Sequence, residues 1–182
     1  MDWYFLLVIV HIIGAVLGVG GATFVEINLF RALRSGGGKM DPMGIGYFKT
    51  AVRVVRIGTI ISIVSGLGFF YINDRYLENP IFWVKMTILG VVLVNAYLLE
   101  KHKMPLWLGS PLSFVSWYFL LILGEMLRGS ASFTLGYFEV LLYYAVALLI
   151  GGVVLDAIRK KVAHPPSEAP SAAPSGENTA HH

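Results

Sequence analysis

From Trp3 to Phe30 the chain runs through one long hydrophobic stretch, and no Asp, Glu, Lys or Arg interrupts it before Glu26. A run of about twenty apolar residues is long enough to cross the hydrocarbon core of a bilayer as a helix. The run is therefore a membrane span. At 100° per residue His11, Gly14, Gly18, Gly21 and Ala22 return to nearly the same face, since offsets of three, four and seven share a side. Small residues at that spacing let a second helix backbone come close, which is how spans associate where lipid gives no hydrophobic contrast. His11 thus points into a bundle. An ionisable ring inside a membrane is costly without a partner, so it is the first candidate for a functional site.

The composition leads the same way: 56% of the 182 residues are hydrophobic and 14% are charged, where soluble domains carry about 25% charge. The mean hydropathy is +0.69. A chain of this length has room for one helical bundle and no further domain. With no cysteine, disulfides, thiolate metal sites and cysteine nucleophiles are excluded, leaving His, Met, carboxylate and Lys as ligands. The basic residues bunch between the apolar runs, which is topological information and no sign of nucleic-acid binding.

Four more spans follow. The second begins amphipathically near Tyr47 and runs to about Tyr71, with Gly58, Ser62 and Gly66 giving it a close-approach face for the first. The third runs from Ile81 to Leu99 behind Asn79 and Pro80. The fourth opens at Ser110 and Pro111 as N-cap and first helical position and reaches about Met126. The fifth runs from about Tyr137 to Ile158. Lys and Arg between and after the spans number six, one, two, one and three. That alternation places the amino end outside and the carboxyl end in the cytoplasm. The predicted fold is an all-α polytopic transmembrane bundle of five spans over residues 1–162, multi-pass in a cell inner membrane. Residues 163–182, rich in Pro, Ser and Ala, read as a disordered cytoplasmic tail. The bilayer is the one partner that follows directly; small-residue faces on two helices suit a homodimer or a larger membrane complex as well as internal packing.

Depth along the spans, at about 1.5 Å per residue, gathers His11, Lys85, Glu125 and Glu139 in the outer half. Two readings stand side by side: interfacial side chains around a hydrogen-bonded core histidine, or a polar pocket whose imidazole and ammonium hold a cofactor or anionic group. Glu125 and Lys85 are then the candidate catalytic groups, with His11, Lys85, Met126, Gly18 and Gly21 as the candidate cofactor-binding residues. In the inner half, Glu26 is expected to pair with Arg53 and Arg56, three residues apart at the start of the second span, as a structural ion pair. Only His11 among the histidines lies at depth, so a bis-histidine haem is disfavoured. A haem b held by His11 alone stays open, its sixth position empty or filled by Lys85 or Met126. Copper is the alternative, since imidazole and thioether suit it.

His11 followed by Gly20 and Gly21, then Phe30-Arg31, with Phe82-Trp83-Val84-Lys85-Met86 opening a later span, resembles the superfamily of small membrane bundles that includes CopD-type copper-resistance proteins and HemJ-type protoporphyrinogen oxidases. The likeness covers roughly the first three spans. It implies a haem ligand at His11 and a functionally important lysine at Lys85. The family's tryptophan seven residues after the histidine is Gly18 here, and its arginine after the glycines is Ile27, with Arg31 four residues on. The expectation is a haem-binding or comparable redox membrane protein, an oxidoreductase if it is an enzyme. The alternative is a non-catalytic protein for copper or small-solute transport, or a subunit of a larger complex.

Overall fold

A computed structural model describes residues 3–34, 42–72, 77–128 and 135–163. They form five α-helices: α1 (Trp3–Arg34), α2 (Pro42–Ile72), α3 (Pro80–Glu100), α4 (Leu106–Arg128) and α5 (Tyr137–Ala163). All five are long and apolar enough to cross a membrane, and no strand occurs among the described residues. The chain is an integral membrane protein of the all-α class. Successive helices run in opposite directions, so Trp3 and Ala163 lie on opposite faces of the bundle, here the amino face and the carboxyl face.

The ends are set locally. Asn79 caps α3 with its side-chain oxygen on the Ile81 amide at 2.9 Å, and Pro80 takes the first position, where no amide hydrogen is needed. At the other end His102, at φ 53°, lets the Lys103 and His102 amides return to the Leu98 and Leu99 carbonyls. Two helix starts differ from those expected by several residues. α2 starts at Pro42, five residues before the amphipathic segment that opens at Tyr47. α4 starts at Leu106, so Pro111 lies inside the helix and Ser110 is not its cap. The helix tolerates this because the carbonyl that Pro111 cannot satisfy, that of Trp107, has another donor, Arg159. α5 extends through Ala163; the expected tail beyond it, 164–182, lies outside the described residues.

α1 packs most extensively on α2 and also touches α4 and α5, whereas α3 packs on α4 and α5 but not on α1 or α2. The α1–α2 contact is made by the small residues. A Cβ added to Gly58 would stand 2.6 Å from the Gly18 nitrogen and 2.8 Å from the Gly14 oxygen. The backbones touch. On the other side, Val84 and Ile88 of α3, Leu123 of α4 and Val140 of α5 form the centre of the apolar core. Val16, Val64, Leu149 and Val153 point outward, as lipid-facing residues should.

Candidate functional site

His11 sits on α1 about two turns below the amino face and joins two other helices. Its Nδ1 is 2.9 Å from Ser65 Oγ of α2, and its Nε2 is 3.3 Å from Lys85 Nζ of α3. Ser65 spends its single hydroxyl proton on the Ile61 carbonyl, 2.6 Å away. Toward His11 it can therefore only accept. The imidazole must then carry its proton on Nδ1, which leaves the Nε2 lone pair for Lys85 to donate into. Lys85 to His11 to Ser65 to Ile61 is one directional chain.

The Phe69 ring stands edge-on to the imidazole at 5.5 Å between centroids. Gly66 lies beside His11 and Gly124 beside the Lys85 amine, each without a side chain. α1 and α3 do not pack on each other, so the lysine reaches the histidine by the length of its side chain. The ion pairs of the described residues are Arg56–Glu100, Arg159–Glu26 and Lys160–Asp156. Lys85 is in none of them. An ammonium has three donors, and among the described residues this one has a single acceptor and no countercharge.

The other outer-half candidates separate from this pair. Glu139 accepts from the Gly136 amide at 2.9 Å and so caps α5. Glu125 is exposed. Met126 packs against the apolar core. Gly18 lies under the Trp117 ring, and Gly21 faces Val55 and Ala51; both serve helix packing and leave no room for a flat ligand. Among the described residues no three His, Asp or Glu side chains gather into a metal cluster.

The inner ion pair also differs from the one expected. Glu26 does not pair with Arg53 or Arg56. Arg56 reaches the exposed Glu100 at 3.2 Å, and Arg53 is exposed. Glu26 takes both oxygens to Arg159 Nη2, at 3.0 and 2.7 Å, and also accepts from Ser110. Arg159 Nη1 donates to the Trp107 carbonyl at 2.7 Å. With side chains 3% and 8% exposed, this is a buried ionic clamp across α1, α4 and α5.

Sequence reasoning placed His11 and Lys85 at one depth but missed Ser65. The signal was available, since Ser65 lies seven residues after Gly58 and so on the same face of α2. A haem fits the chemistry of the donor set. A histidine that ligates iron gives its other ring N–H to an acceptor, which is the part Ser65 plays, and an ammonium suits an acidic side group. No family model matches the chain, no curated protein matches it and no solved structure matches it.

Proposed function

We propose that this membrane protein holds an acidic redox cofactor, haem b by its chemistry, between α1 and α3, with His11 Nε2 as ligand and Lys85 as partner of an acidic group. The single observation behind this reading is an ammonium with no countercharge among the described residues, set beside the lone pair of the imidazole Nε2. The resemblance read from the sequence assigns the same two residues. Bound haem would supply one-electron chemistry and an iron that takes a neutral imidazole. The chain's own residues do the rest. Ser65 orients the ring through Nδ1–H, Lys85 leaves Nε2 and offers its charge, and the absence of side chains at Gly66 and Gly124 spares the space. Glu125 is not required.

The test is an absorption spectrum of the purified full chain in detergent, as isolated and after addition of haem. Wild type should show a Soret band, His11→Ala should lose it, and Lys85→Met should keep it with about tenfold weaker haem retention. A wild-type protein with no Soret band even after reconstitution overturns the reading.

A further inference from the structure

On the opposite half of the bundle a groove of about 330 Å³ lies between α3 and α4, walled by Gly90, Val94, Leu98, Leu112 and Met104, with Asn95 among its lining residues. The walls are apolar and Val94, 58% exposed, forms a lip on the outer surface. A molecule dissolved in the bilayer can enter sideways. Asn95 is 2% exposed. Its Nδ2 donates to the Gly109 carbonyl at 2.8 Å, which fixes the amide orientation and leaves Oδ1 as an acceptor. That Oδ1 is buried and has no hydrogen-bond partner. A buried acceptor without a donor is unfavourable, and an apolar groove gives a single water too few polar neighbours.

We infer that this groove binds a membrane-soluble quinol, with the ring between α3 and α4 and one hydroxyl donating to Asn95 Oδ1. The volume is at the small end of ligand pockets and suits one substituted ring. The acceptor decides the redox form. A quinol carries hydroxyl donors and its oxidised quinone carries none, so the groove selects the reduced species. The inference does not depend on what His11 holds.

The experiment measures binding of duroquinol and of duroquinone to the full chain in detergent, for wild type, Asn95→Leu, Gly90→Phe and His11→Ala. Wild type should bind the quinol roughly five- to tenfold more tightly than the quinone, the difference one hydrogen bond supplies. Asn95→Leu should bind both forms alike. Gly90→Phe fills the groove from a position where an added Cβ meets nothing within 4 Å, so it should fold normally and bind neither. His11→Ala should bind as wild type does, which separates this site from the cofactor site. Equal binding of the two forms by wild type, unchanged binding by Gly90→Phe, or loss of quinol binding in His11→Ala each overturns the inference.

Discussion

Ser65 has one proton to give and the Ile61 carbonyl receives it, so a serine with no charge decides which nitrogen of His11 faces α3. Removing the hydroxyl leaves the Nδ1–H of a half-buried ring without its acceptor, at a cost of about 1 kcal/mol. The larger effect is on the tautomer. In Ser65→Ala the nitrogen resonances of His11, followed by ¹⁵N NMR, should change from a single Nδ1–H form to a mixture, and haem retention should fall by about ten- to a hundredfold. Ser65→Thr keeps the hydroxyl and should behave as wild type. A single unchanged tautomer in Ser65→Ala would show that Lys85 alone orients the ring.

Between elements, the closeness of α1 and α2 is what allows Ser65 to reach His11 at all. At Gly58 an added Cβ meets Gly18 and Gly14 backbone, which cannot give way as a side chain end can. Gly58→Val should therefore push the helices apart and cost about 1–3 kcal/mol in thermal unfolding in detergent. Gly20→Val adds the same group where nothing lies within 4 Å, and should be tolerated; equal losses for the two variants would refute the packing argument. This interface was legible in the sequence because small residues at four-residue spacing on both helices let two spans approach closely, though that pattern alone suits a second copy as well as the neighbouring helix. The five spans were legible for the same kind of reason, since apolar length and basic clustering are local properties. The start of α4 was not legible. Ser110-Pro111 has the form of a helix start, and only the guanidinium of Arg159, far along the chain, lets the proline sit one turn inside. The His11–Lys85 contact was half legible: depth brought the two to one level together with Glu125 and Glu139, but depth does not say which way a side chain points.

For the whole molecule, α1 is the link: among the described residues α2 packs on α1 alone, and α1 also packs on α4 and α5, which hold α3. Glu26 and Arg159, 133 residues apart, tie the first and last helices at the carboxyl face, and Ser110 and the Trp107 carbonyl join α4 to the same knot. Sequence proximity favoured Arg53 and Arg56 as partners for Glu26. The fold chose Arg159 because a buried carboxylate needs a cation that is itself buried, and the carbonyl freed by Pro111 gives that cation a second acceptor, at Nη1. A pair of this kind is expensive to break and cheap to replace. Arg159→Met and Glu26→Met alone should each destabilise the bundle by about 3–5 kcal/mol, since each strands one charge away from water. The double variant should lose far less than the sum, because two apolar side chains fill the same volume with no charge left over. Unfolding of the four proteins in detergent gives the coupling directly. Additive losses, or single losses below about 1 kcal/mol, would mean that apolar packing around Val84, Ile88 and Leu123 closes the bundle without help from the clamp. A strong coupling would instead make the clamp the contact that fixes α1 against α4 and α5, and through α1 the position of His11 itself.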